Sequence, residues 1–333
     1  MSEQATRPFA GLGPEIVLEA VESLDWVTDG RLLALNSYEN RVWQVGVEQA
    51  EPVVVKFYRP QRWTDDAIEE EHRFTQELAD GGLSVVAPLV IAGNTLHRYQ
   101  GFRFAVFLRR GGHAPELAHE PTLRHLGRVL GRFHAIGASG SFQHRPVISI
   151  AERGAEPIRW LLANNWLPMH LERAFEQLGD QLLEAINAGF ERAGTFRNQR
   201  LHGDCHPGNI LWRDDQAHFV DLDDCMEGPA IQDLWMLIAG ERSERERQMG
   251  WLIDEYRLFH DFDARELNLV EPLRTLRMLY YQAWLARRWD DPAFPAAFPW
   301  FAGDRHWETV IEQLKEQLGE LAEPALSLSE NLP

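Results

Sequence analysis

Apolar residues in the first hundred positions fall into short runs that are separated by polar turns. A run at residues 32–35 leads into a polar tip at residues 36–40, and Val42 opens a second run. A β-branched run at residues 53–55 follows and carries Lys56 at its end. Such runs are typical of β-strands. They predict an antiparallel hairpin, followed by a buried strand that ends in a basic residue.

One helical pattern interrupts this strand-rich part. Thr64 is a good N-cap for a helix that runs to about residue 79, with acidic residues in its first turn and apolar residues near one face. A shorter helix can form at residues 14–23, and further strands extend to residues 102–107.

After Gly111 and Gly112 the pattern changes to long helices, so we place a lobe boundary there. Apolar residues recur every three or four positions from Leu123 to Phe133, which predicts an amphipathic helix ending near Gly137. Further helices are predicted at roughly residues 155–193, 230–260, 265–289 and 304–322, with a strand-and-loop insertion at residues 201–224. The prediction is an α+β protein with two lobes. Residues 1–110 form an antiparallel sheet with one helix, and residues 111–333 form a larger helical lobe.

Composition narrows the possible partners. The chain has 333 residues and a net charge of -18, which repels nucleic acids and anionic membranes. Two cysteines cannot form a disulfide framework, and the N-terminal stretch lacks the apolar core of a signal peptide. We therefore expect a cytoplasmic monomer with neither a nucleic-acid nor a membrane partner.

The densest chemical signal is LHGDCHPGNIL at residues 201–211, followed by FVDLDD at residues 219–224. Its spacing places Asp204, Asn209 and Asp221 at one edge of a small hairpin. Oxygen ligands of this kind suit Mg²⁺, so Asn209 and Asp221 are the predicted metal ligands. Asp204 is then free to orient an attacking hydroxyl.

Phosphoryl transfer also requires a cation on the phosphates, and Lys56 fits that role. We expect a carboxylate of the following helix to hold it, Glu71 by preference and Glu70 as the alternative. Replacing Lys56 with Met should abolish turnover with little loss of fold stability.

These motifs resemble the aminoglycoside phosphotransferase and choline kinase superfamily, which has a protein-kinase-like fold. Within it the sequence is similar to the bacterial stress response kinases of the RdoA type, with matching segments at residues 35–42, 54–60, 228–237 and 284–300. The resemblance implies ATP- and Mg²⁺-dependent phosphorylation of serine and threonine side chains, with Asp204 as the active-site base. It also implies that Ser37 contacts ATP and that adenine meets the backbone at Val106 and Leu108.

Several alternative interpretations remain open. A small-molecule hydroxyl kinase of the aminoglycoside, choline or homoserine type is the main alternative, because Asp221 and Asp233 are too close for a long activation segment. A nucleotide-binding regulator without turnover is a third possibility. Asp233 is expected to brace the catalytic loop, and His202 is expected to act as a scaffold rather than a base.

Four minor hypotheses concern small groups of residues. The oxygen-bearing residues could be turn and cap residues only. His202, Cys205, His206 and Cys225 could bind zinc. The indoles of Trp284, Trp289 and Trp300, with His134, could form an aromatic cage for a quaternary ammonium, although packing is the expected role. Cys205 and Cys225 could also act as a redox switch.

Overall fold

A computed structural model describes residues 8–328. The N-terminal lobe is built on a five-stranded antiparallel sheet with the strand order β1-β2-β3-β5-β4. Its strands are β1 (Thr28–Leu35), β2 (Arg41–Val47), β3 (Val53–Phe57), β4 (His97–Tyr99) and β5 (Phe102–Leu108). Lys56 pairs with Val42 of β2 on one side and with Ala105 of β5 on the other. The central position of β3 therefore carries the basic residue into the buried part of the sheet.

Two helices accompany this sheet in the described part of the lobe, and the first of them corresponds to the helix that the sequence allowed at residues 14–23. Helix α1 (Pro14–Glu22) packs Val17 and Val21 against strand residues such as Val55. Helix α2 (Asp65–Asp80) begins at Thr64, whose side chain accepts a hydrogen bond from the Ala67 N–H at 3.2 Å, as the sequence predicted.

The far end of α2 connects the two lobes. Phe74 and Leu78 pack in one cluster with Phe133 and Leu222 of the second lobe. The glutamates in the middle of α2 are thereby held between the lobes.

The C-terminal lobe is helical, as predicted. Its helices are α3 (Glu120–Gly137), α4 (Glu156–Ala163), α5 (Met169–Ala193), α6 (Ile231–Leu234), α7 (Arg242–Tyr256), α8 (Val270–Arg287), α9 (Ala293–Ala297) and α10 (Asp304–Ala322). Helices α3 and α7 approach closely at two glycines. A Cβ atom at Gly127 would lie 2.2 Å from the Leu252 carbonyl oxygen, and one at Gly131 would lie 2.5 Å from that of Tyr256. Only glycine permits this contact.

Two predicted helices are each interrupted. The segment predicted at residues 155–193 breaks between α4 and α5, where Asn165 has φ 53° and Pro168 precedes the second helix. The segment predicted at residues 230–260 breaks at Gly240, whose φ is +95°. A capping box between Glu241 and Glu244 then starts α7. Periodicity alone did not reveal these local stops.

Four short strands lie within the helical lobe. They are β6 (Gln199–Leu201), β7 (Ile210–Arg213), β8 (Gln216–Phe219) and β9 (Met226–Gly228), with β7 paired to β8 and β6 paired to β9. The loops from β6 to β7 and from β8 to β9 carry the conspicuous Asp and Asn residues. No helix between residues 8 and 328 has the length and apolar character needed to cross a lipid bilayer.

Candidate active site

A cleft of about 360 Å³ lies between the lobes. Its walls come from the β1–β2 loop, from strands β2, β3 and β5, from α2, and from the two loops around β7 and β8. Among the predicted site residues, the cleft is lined by Ser37, Lys56, Glu71, Leu108, Asn209 and Asp221. We call this space the interlobe cleft.

Lys56 is nearly inaccessible to solvent and lies among three carboxylates. Its Nζ is 2.9 Å from Asp221 Oδ1, 3.2 Å from Asp223 Oδ1 and 3.5 Å from Glu71 Oε1. Burial alone would lower the pKa of this ammonium, but the three carboxylates outweigh it and hold the pKa well above its usual value. Lys56 is therefore a permanent buried cation that links both lobes.

The two candidate glutamates of α2 have separate contacts. The Glu70 carboxylate accepts hydrogen bonds from the backbone N–H groups of Gln143 at 2.7 Å and His144 at 2.8 Å. Glu71 is the one that faces Lys56. Burial raises the Glu71 pKa to about 7, and the neighbouring Asp223 adds to this against the opposing effect of Lys56.

Asp223 is a central residue that the sequence did not single out. Its buried carboxylate contacts Lys56, accepts a hydrogen bond from Asn40 Nδ2 at 3.1 Å and pairs with Arg62. Burial would raise the Asp223 pKa, but Arg62 and Lys56 outweigh it and hold the pKa well below its usual value. The available signal was the repeated Asp in the DLDD segment together with an arginine just before α2.

The loop that carries Asp204 is braced by Asp233, as predicted. The Asp233 carboxylate accepts hydrogen bonds from His202 N at 2.8 Å and Gly203 N at 2.9 Å, and it contacts His134 Nε2 at 3.1 Å. His202 is fully buried and contacts the Val220 carbonyl oxygen through Nε2 at 3.0 Å, which supports its scaffold role. These contacts hold the Asp204 loop against α6.

No residue other than glycine fits at position 203 of this loop. Its φ is +82°, and a Cβ atom would lie 2.2 Å from the Asp224 carbonyl oxygen. The close approach brings the loop after β6 against the loop after β8. Asp204 and Asp221 consequently reach the same region of the fold.

Asp204 is partly exposed and engages a residue that sequence reasoning missed. Arg277 of α8 donates to Asp204 Oδ1, and His206 Nε2 lies 3.5 Å from Oδ2. Burial lowers the His206 pKa, so its imidazole is neutral near pH 7. Asn209 Nδ2 donates to the Asp204 carbonyl oxygen at 3.0 Å, which ties the two residues together.

Asp221 adopts a left-handed conformation, with φ 58° and ψ 63°, and half of its side chain is exposed. The Val220 N–H donates to the Asn209 carbonyl oxygen at 3.0 Å, so the residues preceding Asp221 lie against Asn209. Asp221 and Asn209 therefore present a carboxylate and an amide to the same cleft. This donor set suits a hard divalent cation.

The residues predicted to meet adenine differ in their position relative to the interlobe cleft. Val106 does not line the interlobe cleft, because its side chain is buried in the sheet core and its carbonyl oxygen accepts a hydrogen bond from Leu89 N at 2.7 Å. Phe107 and Leu108 do line the cleft. Ser37 also lines it, together with Asn36 of the same loop.

The β1–β2 loop is attached to the C-terminal lobe through Glu39. Its carboxylate accepts a hydrogen bond from Trp284 Nε1 at 2.5 Å and pairs with Arg288 and, at 2.9 Å, with Arg59. Tyr38 packs on Phe298 with ring centroids 4.9 Å apart. No sequence motif indicated these contacts, because they join residues about 250 positions apart.

The tryptophans and cysteines of the minor hypotheses are held by packing. Trp284 packs against Phe294, and Trp289 packs against Phe301, in keeping with the expected packing role. Cys205 and Cys225 are free and fully buried. Burial raises the pKa of the Cys225 thiol to about 12 and that of Cys205 well above its usual value.

Known proteins resemble this chain in sequence and in fold. The model of the phosphotransferase enzyme family matches residues 31–249. The chain is 44% identical over 321 residues to stress response kinase A of Escherichia coli K12, with 96% of this chain and 97% of the relative covered. The serine/threonine protein kinase RdoA of Salmonella typhimurium matches with the same identity and coverage.

Among solved structures, an amicoumacin kinase in complex with AMP-PNP and Ca²⁺ has a TM-score of 0.68 at 18% identity. The match covers 90% of this chain and 93% of that chain. At this identity the likeness concerns the fold alone, and it agrees with the predicted bilobal α+β architecture.

Proposed function

Because the chain belongs to the stress response kinase A branch of the phosphotransferase enzyme family, we propose that this ATP-dependent kinase phosphorylates serine and threonine hydroxyls of proteins. The observation that carries the proposal is the meeting of Lys56, Asp221 and Asn209 at one cleft between the lobes, with Asp204 tied to Asn209 by a hydrogen bond. Phosphoryl transfer depends mainly on positioning and on neutralisation of charge, and these residues supply both.

On the nucleotide side, Lys56 holds the phosphates of ATP. Glu71 and Asp223 keep its ammonium in place from opposite lobes. Phe107, Leu108 and Ser37 contact the rest of the nucleotide. Asn209 and Asp221 hold Mg²⁺, which supplies neutralisation of the negative charge on the phosphate oxygens when it is bound.

On the acceptor side, Asp204 orients the attacking hydroxyl and accepts its proton. The hydroxyl oxygen forms a bond to the γ-phosphorus as the bond from that phosphorus to the leaving ADP oxygen breaks. Arg277 already donates to Asp204, so it sets the orientation of this carboxylate. His206 Nε2 lies 3.5 Å from the other oxygen of this carboxylate.

Different observations favour two different classes of acceptor. The relatives at 44% identity include a protein named as a serine/threonine protein kinase, which favours protein hydroxyls. The amicoumacin kinase is named for a small molecule, and the segment between Asp221 and Asp233 holds only a 3-10 turn, β9 and the start of α6. That short segment favours a small-molecule hydroxyl kinase as the second candidate. We further propose that the kinase is a cytoplasmic monomer.

The test is incubation of the enzyme with labelled ATP and Mg²⁺, alone, with a generic protein acceptor, and with a panel of small hydroxyl compounds. Label in protein, absent with an Asp204→Ala enzyme, is the expected result. Label confined to a small compound would assign the second candidate instead.

A further inference from the structure

A second cavity, of about 460 Å³, lies beside Asp204 on the C-terminal lobe. Its walls are formed mainly by α8 and α10 and are separate from the residues of the interlobe cleft. We call it the acceptor cavity. It is lined by Trp235, Arg274, Arg277, Tyr281, Trp300 and His306, among others.

The side chains that line this cavity differ in charge from the chain as a whole. The protein has 51 acidic and 33 basic side chains. Among the described residues that line the acceptor cavity there is no Asp or Glu, whereas Arg274 and Arg277 both contribute guanidinium groups. Each guanidinium group is already paired with a carboxylate that lies outside this lining, Arg277 with Asp204 and Arg274 Nε with Glu271 at 3.2 Å. Burial lowers the pKa of His306 to about 4, so that ring is neutral near pH 7.

Arg274 retains unused hydrogen-bonding capacity. Its Nη2 is buried and has no hydrogen-bond partner within residues 8–328. Its Nε lies 3.2 Å from Glu271 Oε2, and its guanidinium lies over the Trp235 ring at 5.3 Å. A buried donor without a partner carries a desolvation cost that an incoming acceptor group removes. A carboxylate is the matching group, because its two oxygens fit the donors of a guanidinium.

The position of Arg274 relates this site to the chemistry. It precedes Arg277 by three residues in α8, which corresponds to about 4.5 Å along the helix axis. Arg277 in turn contacts Asp204, the residue that faces the acceptor hydroxyl. An extended peptide advances about 3.3 Å per residue. A carboxylate within a few residues of the acceptor hydroxyl can therefore reach Arg274.

We propose that the acceptor cavity binds an acidic side chain of the protein substrate, so that the kinase prefers serine or threonine residues flanked by aspartate or glutamate. This preference rests on the protein-kinase function proposed above and adds the substrate class. Tyr281 and Trp300 are partly exposed at this cavity and offer apolar surface to the flanking peptide backbone. An acceptor with a cationic flank would instead meet two guanidinium groups whose neighbouring carboxylates, Asp204 and Glu271, are already engaged.

The test uses three serine peptides of identical sequence except for the flanking positions, which carry Glu, Gln or Lys. The peptides compete in one tube for wild-type enzyme with ATP and Mg²⁺, and the ratios of kcat/KM are read from the products. Such ratios do not depend on the fraction of enzyme that is folded. The same ratios are measured for Arg274→Gln, Arg274→Lys and Arg274→Glu, and for Arg173→Gln, an exposed arginine of α5, as the matched control.

For wild type and Arg173→Gln we expect the Glu peptide to exceed the Gln peptide by about tenfold, the size of one charge-assisted contact. Arg274→Gln should bring the two peptides to near equality, Arg274→Lys should retain part of the preference, and Arg274→Glu should favour the Lys peptide. Phosphorylation of all three peptides at equal rates by wild type would overturn the acidic preference and leave the protein-kinase function standing. Label in a small hydroxyl compound, with none in any peptide or protein, would overturn both.

Discussion

The two sides of the active site differ in how their charges are arranged. On the nucleotide side, Lys56 is buried and contacts three carboxylates from both lobes. On the acceptor side, Arg274 and Arg277 border an open cavity that has no carboxylate among its described lining residues. On the nucleotide side, carboxylates from both lobes thus hold Lys56 in position before any ligand binds. On the acceptor side, the buried Arg274 Nη2 has no hydrogen-bond partner among the described residues.

This difference follows from what each side binds. ATP is the same in every turnover, so a fixed arrangement of charges carries no disadvantage. Solved structures of similar fold are named for different small molecules, such as amicoumacin and spectinomycin, and the proposed acceptor cavity is lined mainly by side chains of α8 and α10. If this comparison is correct, changes on the nucleotide side should affect turnover and stability together, and changes on the acceptor side should affect substrate choice.

The largest effects are expected at Asp204, in the loop after β6, and at Asp221, in the loop after β8. Asp204→Ala removes the group that is proposed to accept the hydroxyl proton, so turnover should fall by about 10²–10⁴-fold. Asp221→Ala removes a predicted metal ligand and one partner of Lys56, so its loss should be at least as large. Asp215→Asn, in the exposed turn between β7 and β8, is the control and should retain wild-type turnover. Steady-state rates with saturating ATP check all three variants.

Lys56→Met should come next, with turnover lower by about 10²–10³-fold, because the cation on the phosphates is lost. The structure changes one expectation for this variant. Sequence reasoning predicted little loss of stability, yet removal of the ammonium leaves Glu71 buried without the cation that it contacts and takes one of two cations from the buried Asp223, which keeps Arg62. The free energy of unfolding should therefore fall by about 3–5 kcal/mol.

The loss of stability in Lys56→Met should depend on pH. Glu71 has a folded-state pKa raised to about 7, so it is mostly protonated at pH 6 and mostly ionised at pH 8. A raised carboxyl pKa favours the folded state at low pH, and this advantage is lost as pH rises. Urea titrations of Lys56→Met should show a larger deficit at pH 8 than at pH 6. An equal deficit at both values would contradict the burial of these carboxylates beside Lys56.

The two neighbouring glutamates of α2 should separate an effect on turnover from an effect on stability. Glu71→Gln should lower turnover by about tenfold, because Lys56 loses a partner that positions it. Glu70→Gln should leave turnover near that of wild type and lower the melting temperature, because Glu70 holds the backbone at Gln143 and His144. The reverse pattern would assign the Lys56 partner to Glu70.

The nucleotide side was largely predictable from sequence. Lys56 follows a β-branched strand, and Asp204, Asn209 and Asp221 are recognisable by spacing within two short segments. Such signals are local, because the strand or turn that positions each residue is adjacent to it in the chain. The choice of Glu71 over Glu70 followed from helical spacing, and the structure places Glu71 at Lys56.

The remaining features depend on contacts between distant segments. Arg277 reaches Asp204 across 73 positions, and the Glu39 contacts with Trp284 and Arg288 span 245 and 249 positions. Arginines on a helix surface are common, so no local pattern marked these residues. The adenine contact with the backbone at Val106 and Leu108 came from the family resemblance and stays a prediction.

The smallest effect is expected at the two cysteines. Both are fully buried, and burial raises the pKa of each thiol, so the reactive thiolate is scarce. Mild peroxide should leave activity unchanged in wild type, Cys205→Ser and Cys225→Ser. Inactivation of wild type that dithiothreitol reverses, and that both variants resist, would instead establish the redox switch considered from sequence.

The division between a nucleotide side and an acceptor side is tested most directly by measuring the affinity for ATP and Mg²⁺ in two variants by titration calorimetry. Asp204→Ala should bind within about threefold of wild type, because that carboxylate addresses the acceptor hydroxyl. Asp221→Ala should bind at least about tenfold more weakly, because a metal ligand is lost. Equal affinities in the two variants would contradict the account.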